Sequence, residues 1–283
     1  MIEVKELRFA YTRRRDVIHG LSFAVGPGEV FGFLGPSGAG KSTLQKILSG
    51  ILRAYRGSVR VLGTEVKHRT SAFYERIGMA FELPNLYGKF TALENLRLFG
   101  SLYARPGSEP LTLLERVGLA QDAHKAVGSF SKGMKLRLAF VRALLHQPAL
   151  LFLDEPTGGL DPGHARIIKD MVLEQKRAGA TILLTTHNMH AAEELCDRVA
   201  FIVDGRIRGL DTPHALRVSK GGIEVAYTFR EGGQAGAASA MLSALHLDAE
   251  FMRRLHQGAL TSIRSKEPTL EDVFIELTGR GLQ

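Results

Sequence analysis

Eight consecutive residues, Gly35-Pro36-Ser37-Gly38-Ala39-Gly40-Lys41-Ser42, have types and spacing that suit the binding of a polyphosphate. A triphosphate needs several donors converging from one side. Glycines let the backbone wrap closely and aim its N–H groups inward, and a following helix points its positive end at the same anion. Lys41 is placed to reach the β- and γ-phosphates, and the Ser42 hydroxyl to ligate Mg²⁺. The nucleotide-binding stretch is read as Gly35, Pro36, Ser37, Gly38, Ala39, Gly40, Lys41, Ser42 and Thr43.

Two further apolar runs end in chemically loaded residues. Leu150 to Leu153 ends in Asp154-Glu155, and Thr181 to Thr185 ends in Thr186-His187. In parallel sheets, ligands bind outside the carboxyl ends of the strands, so the three groups should converge on one nucleotide. Asp154 suits Mg²⁺, reached through water. Glu155 suits a general base that accepts a proton from an attacking water. His187 suits contact with the γ-phosphate, but taken alone it reads equally as a satisfied core histidine. The acidic pair also admits a bland reading, as a helix N-cap after a strand. His187-Asn188-Met189-His190 is not the H-E-x-x-H zinc pattern.

Positioning these groups requires alternating strands and helices. Val30 to Leu34 is a buried-strand run, and Thr43 to Leu48 carries leucine and isoleucine at helical spacing. Met1 to Phe9, Gly20 to Val25 and Gly57 to Gly63 read as further strands. From Thr91 the period becomes helical: Leu93, Leu96, Leu98 and Leu102 fit one helix, Leu111, Leu114, Val117 and Leu119 another. In a third, Lys135 to Leu145, one face carries Leu136, Ala139, Phe140 and Leu144. Residues 83–147 thus read as a helical insertion. Strands then return around a helix from His164 to Lys176, and Val199 to Val203 meets an Asp204-Gly205 turn. This alternation predicts a mostly parallel sheet with helices on both faces. Beyond Pro213 the character shifts. Gly221-Gly222 and Gly232 to Gly236 read as loops, Ile223 to Phe229 as a strand, and Thr269 as the N-cap of a last helix.

Composition excludes little and is that of a globular chain. The 283 residues are 45% hydrophobic and 23% charged, which argues against disorder. The sole cysteine, Cys196, cannot form an intrachain disulfide and reads as a small buried hydrophobe in a reducing compartment. No apolar run approaches the ~18 residues of a membrane span, and the first residues lack a signal peptide's apolar core. The expectation is a soluble, cytoplasmic protein. The net charge of +8 is spread over Arg13-Arg14-Arg15, over Arg53, Arg56 and Arg60, and over Lys132, Lys135 and Arg137. None alternates with aromatics as a nucleic-acid stacking surface would, so no nucleic-acid partner is expected. A solvated basic face is the default reading, and contact with anionic lipid headgroups is the second.

Taken in order, the motifs resemble those of the nucleotide-binding subunit of an ABC transporter. Phe130-Ser131-Lys132-Gly133-Met134 resembles the LSGGQ signature, Gly158-Gly159-Leu160-Asp161 the D-loop, Asp154-Glu155 the Walker B end and His187 the switch histidine. Tyr11 stands where an aromatic stacks on adenine. The match spans about residues 2–215, and the stretch Pro268 to Gly279 resembles the C-terminal segment of the subfamily that pairs with ABC-2-type permeases, mostly exporters.

The resemblance implies an α/β fold of the P-loop NTPase type. Its parts would be a mostly parallel core sheet, an antiparallel β-subdomain, the inserted helical subdomain and a small C-terminal α+β domain. The domains implied are 1–215 for ATP binding and 216–283 as an accessory or dimerisation domain. It further implies that two such subunits, alike or different, close head to tail on ATP and Mg²⁺. Ser131, Gly133 and Asp161 would serve the nucleotide across the interface, and an integral membrane permease would hold the pair at the cytoplasmic face. The activity implied is ATP hydrolysis that energises transport, most simply export.

The sequence departs from the family at three places. Glu82 replaces the Q-loop glutamine; a carboxylate there still ligates Mg²⁺ but adds negative charge, which predicts altered metal dependence or slower turnover. An ordinary hinge residue is the other reading. Lys132 and Met134 replace a glycine and a glutamine of the signature, and Lys132 either adds charge near the phosphates or faces solvent. The competing functional class is a soluble ABC-type ATPase of translation or DNA maintenance. Such proteins usually carry two cassettes or a long coiled coil, and this chain has one phosphate loop and no sustained heptads. Neither D-x-x-G nor N-K-x-D occurs, which disfavours a GTPase switch.

Overall fold

The computed structural model describes residues 1–12, 15–104, 107–219, 222–266 and 268–279. The Arg13-Arg14 pair and Gly221 lie outside the described residues. The chain forms two compact units, Met1–Leu210 and Asp211–Gly281.

The larger unit begins with β1 (Ile2–Thr12), β2 (Arg15–Val25) and β3 (Val30–Leu34), and the phosphate-loop residues lead into α1 (Lys41–Leu48). Then come β4 (Arg56–Val61), β5 (Thr64–Glu65), α2 (Ser71–Tyr74) and β6 (Ile77–Ala80). Helices α3 (Ala92–Gly100), α4 (Pro110–Arg116) and α5 (Lys132–Leu144) follow before β7 (Leu150–Asp154). The unit ends with α6 (Pro162–Arg177), β8 (Thr181–Thr186), α7 (Met189–Leu195), β9 (Arg198–Val203) and β10 (Arg206–Asp211).

Two sheets organise these elements. The central six-stranded sheet has the order β10-β9-β3-β8-β7-β6, and β9, β3, β8, β7 and β6 pair in parallel. β3, β7 and β8 are buried at every residue, as strands covered on both faces must be, and they read as continuous apolar runs for that reason. β8 lies between β3 and β7, so the carboxyl ends of all three emerge side by side. The second, four-stranded sheet has the order β2-β1-β4-β5, with antiparallel pairs. One core joins strands of both sheets with Leu44, Ile47 and Leu48 of α1. Within it the rings of Phe23, Phe31 and Phe33 lie 5.0–5.8 Å apart, and Phe31 and Phe33 are fully buried.

Several sequence expectations need correction. β2 begins at Arg15, not Gly20, because its first half pairs with Phe9 to Thr12 of β1 although it carries charge. Leu102 lies beyond the end of α3 and is exposed, and Leu98 is only partly covered. Val117 and Leu119 lie past α4 but are fully buried, because the turn after the helix folds back onto it. Arg137 leaves the solvated basic group: it is buried and donates to the Val117 carbonyl at 2.5 Å. Cys196 is free and buried, and a Cβ at Gly32 would come within 2.7 Å of its sulfur. Burial raises the pKa of that thiol.

The smaller unit contains α8 (Pro213–Ser219), β11 (Glu224–Glu231), β12 (Gln234–Met241), α9 (Ala249–His256), β13 (Leu260–Lys266) and α10 (Leu270–Thr278). Its antiparallel sheet has the order β12-β11-β13, around a core of Val225, Tyr227, Leu245 and Phe251. The loop expected from Gly232 to Gly236 is only a two-residue turn at Gly232-Gly233. Gln234 to Gly236 already belong to β12, since both turn glycines have positive φ and close a tight hairpin. Thr269 caps α10 in a reciprocal capping box with Asp272.

Candidate functional site

The phosphate loop leaves the end of β3 through backbone that only glycine holds comfortably. Gly38 and Gly40 have φ of +79° and +105°, and a Cβ at Gly35 would sit 2.1 Å from the Ile202 carbonyl oxygen. Gly40 precedes α1 without a side-chain cap, and the first turn of α1 carries no acid. Its N–H groups and positive end are therefore free for an anion. Lys41 is buried, and its Nζ donates to the carbonyls of Gly35 at 2.5 Å and Pro36 at 3.0 Å. Burial lowers its pKa, and the nearby charges of Glu155, Asp154 and Glu82 oppose that shift.

The two acids at the end of β7 are each held by a threonine of β8. Asp154 and Glu155 are 7% and 8% exposed, and Thr185 and Thr186 are buried. The pairing of Asp154 with Thr185 across β7 and β8 sets this match. Thr185 Oγ1 donates to Asp154 Oδ1, and Thr186 Oγ1 donates to Glu155 Oε2 at 2.9 Å. Glu155 Oε1 lies 2.9 Å from the backbone N–H of His187 and 2.7 Å from its Nδ1. Glu155 has φ +48°, an uncommon backbone for a residue with a side chain, of the kind that clusters at functional sites. His187 has a 61% exposed side chain, so the core-histidine reading is corrected.

These groups surround one cavity of about 310 Å³. Ser37, Gly38, Gly40, Lys41, Ser42 and Thr43 line it together with Glu82, Asp154, Glu155 and His187, and so does Val17. Val17 is absent from the sequence reading, because β2 is read there only from Gly20 onward. Thr185 and Thr186 likewise carry no role in that reading; their partners follow from strand register, which the sequence does not print.

Other expected residues lie outside this cavity. The carbonyls of Gly35 and Pro36 face Lys41, and Ala39 is buried with its N–H donating to the Pro36 carbonyl at 3.3 Å. Tyr11 is 57% exposed, packs edge-on against Phe9 and shares a 3.1 Å hydrogen bond with Thr43 Oγ1. Ser131 is the N-cap of α5 and accepts from the Met134 N–H at 3.2 Å. A Cβ at Gly133 would come within 3.3 Å of Leu160 Cδ2. Asp161 is the N-cap of α6 and pairs with His164 Nδ1 at 2.5 Å; these hydrogen bonds hold its carboxyl down at about 2. Ser131, Gly133 and Asp161 do not line the cavity of their own chain. Lys132 is exposed.

Comparison with known proteins identifies the family. A family model described as "ABC transporter" matches residues 18–158. The fluoroquinolones export ATP-binding protein of Mycobacterium tuberculosis is 50% identical over 100% of this chain and 94% of its own length. The chain belongs to the ATP-binding subunits of ABC transporters. The Nod factor export ATP-binding protein I of Rhizobium meliloti is 39% identical, over 95% of this chain and 85% of its own. A solved ATP-binding subunit of an ABC transporter superposes with a TM-score of 0.71 at 32% identity, covering 77% of this chain and 92% of that one.

The donor set of this ABC subunit suits Mg²⁺. Ser42, Asp154 and Glu82, all lining the cavity, carry hard oxygen atoms of the kind that would hold it. Among the described residues, no three or more His, Cys, Asp or Glu side chains converge to hold a metal unaided. The chemistry fits an ion that shares its ligands with phosphate and water. When bound, Mg²⁺ neutralises charge on the phosphate oxygens. Among the described residues, no helix is long and apolar enough to cross a membrane.

Proposed function

We propose that this ABC subunit binds Mg·ATP in the cavity at the strand ends and hydrolyses it with Glu155 as general base. Lys41 holds the β- and γ-phosphates, and Ser42 with Asp154 and Glu82 holds Mg²⁺. His187 reaches the γ-phosphate from the rim, and Tyr11 stacks on the adenine. Ser131, Gly133 and Asp161 complete the site of a second ATP-binding subunit, a copy of this chain or a sister chain. ATP closes the pair, and hydrolysis reopens it. A separate integral membrane permease holds the subunits at the cytoplasmic face of the membrane and converts closure into alternating access. Residues 216–283 serve as an accessory or dimerisation domain. Two relatives named for export support an exporter, with the permease setting the substrate.

The observation that carries this reading is the convergence of the phosphate loop, both β7 acids and His187 on one cavity. ATP hydrolysis by the full chain tests it. Lys41→Ala is expected to abolish nucleotide binding. Glu155→Gln is expected to retain binding and to lower kcat by at least about 100-fold, the scale of losing a general base. Full activity in either variant, verified as folded, sinks the reading. Expressed with its permease the chain is expected to sediment with membranes, and recovery with ribosomes or DNA instead argues for a soluble ABC ATPase.

A further inference from the structure

We infer that Thr186 is a positioning residue for hydrolysis, fixing which lone pair of Glu155 is open to the attacking water. The inference rests on the reading of Glu155 as the general base.

A carboxylate oxygen has two lone-pair sites. Glu155 Oε1 faces two donors of His187, the backbone N–H at 2.9 Å and Nδ1 at 2.7 Å, which fill both of its sites. Oε2 has one donor among the described residues, the Thr186 hydroxyl at 2.9 Å. One lone pair of Oε2 therefore remains, and the Thr186 hydroxyl decides its direction by occupying the other.

The hydroxyl is itself oriented from behind. Thr186 Oγ1 accepts the Asn188 N–H at 3.0 Å, so its own proton points to Glu155. Asn188 is the N-cap of α7 and accepts from the Ala191 N–H at 2.9 Å. The chain of donors thus runs from the first turn of α7, through Thr186, to the carboxylate. This support matters because Glu155 sits at φ +48°, a sparsely populated backbone that persists only when its surroundings hold it. A catalytic group is held to its productive geometry by the hydrogen bonds behind it. Thr186 is 2% exposed and does not line the cavity, so it acts on the reaction only through Glu155.

In the step so positioned, the water oxygen forms a bond to the γ-phosphorus. The bond from that phosphorus to the β–γ bridging oxygen breaks, and its electron pair stays on ADP. The water proton passes to the open lone pair of Oε2.

The test uses the full chain with Thr186→Val, which keeps the shape without the hydroxyl, and Thr186→Ser, which keeps the hydroxyl. Thr186→Ala is measured beside them to separate a packing fault from the loss of the donor. Steady-state hydrolysis gives kcat and KM, and a fluorescent ATP analogue gives the nucleotide Kd. Val and Ala are expected to lower kcat by about tenfold or more, with KM and Kd within about twofold of wild type, and Ser to restore kcat to within about threefold. The inference is overturned if the Val and Ala variants keep full kcat, if Ser is as slow as Val, or if KM rises in step with the loss. Glu155→Gln, run in parallel, separates the two ideas. If it hydrolyses normally, the general-base reading itself fails. If it is inactive while Thr186→Val runs at full rate, only the role of Thr186 fails.

Discussion

The ends of the core strands and the starts of α5 and α6 are built on opposite principles. At the strand ends, Asp154 and Glu155 are under a tenth exposed, and each receives hydrogen bonds from β8 or the residues that follow it. At the helix starts, Ser131 is exposed and the Asp161 side chain is 60% exposed, and their polar atoms cap their own helices. Proton chemistry needs groups held still in a site from which water can be excluded, and burial with several donors supplies that. A surface that receives another chain's nucleotide needs access, and a helix start offers it with a favourable dipole. In the function proposed here, the chain prefabricates the half that reacts and leaves open the half that must meet a partner.

The sharpest way to break this contrast is Ser131→Ala. ATP-driven dimerisation, followed by light scattering in the Glu155→Gln background, is expected to weaken at least about tenfold, the worth of a hydrogen bond to a charged group. Nucleotide binding by the monomer should stay unchanged. The same variant loses a helix cap worth about 1 kcal/mol, which lowers Tm with or without ATP. An ATP-driven dimer of undiminished strength makes Ser131 a cap and nothing more.

Glu82→Gln sharpens the buried side of the comparison with a smaller expected effect. Glu82 lines the cavity but is exposed, unlike the two β7 acids, and its charge acts on Lys41. The substitution exchanges an anionic oxygen ligand for a neutral amide oxygen and removes one of the charges that oppose the lowering of the Lys41 pKa. The Mg²⁺ concentration for half-maximal hydrolysis is expected to rise about threefold, as fits one exposed ligand among several. A titration that overlays wild type returns Glu82 to the role of a hinge residue.

The same contrast explains what the sequence reveals. β3, β7 and β8 are legible because strands buried on both faces become nearly unbroken apolar runs, which give way to the phosphate loop after Leu34, to Asp154-Glu155 and to Thr186-His187. The glycine loop is legible because its backbone excludes other residues. β2 and β12 are not legible at their true extents. The first half of β2 is polar, and β12 is mostly alanine, glycine and serine, so pairing with β1 and β11 decides them instead. Val17 is missed with the start of β2. Thr185 and Thr186 look like any β-branched residues of a strand until the register with β7 assigns each its acid. Leu119 and Arg137 show the same dependence on tertiary contact: one is buried outside any helix, the other is a cation drawn to a carbonyl.

The smallest expected effect concerns the other side, at Asp161. Its folded-state carboxyl titrates at about 2, below the ordinary 3.8, because His164 donates to it through both Nδ1 and its backbone N–H. A depressed carboxyl contributes stability that is present above the unfolded value and is lost as pH falls through the folded one. Wild type should therefore exceed Asp161→Ala in Tm at pH 6, and the gap should close between about pH 4 and about pH 2. The side chain is exposed, so the gap is modest and shrinks further in high salt. A gap that persists unchanged at pH 2 means that the cap does not need its charge. The start of α6 would then be held by the neutral hydrogen bond alone, and the polar groups at the helix starts would differ from those at the strand ends in exposure but not in electrostatic design.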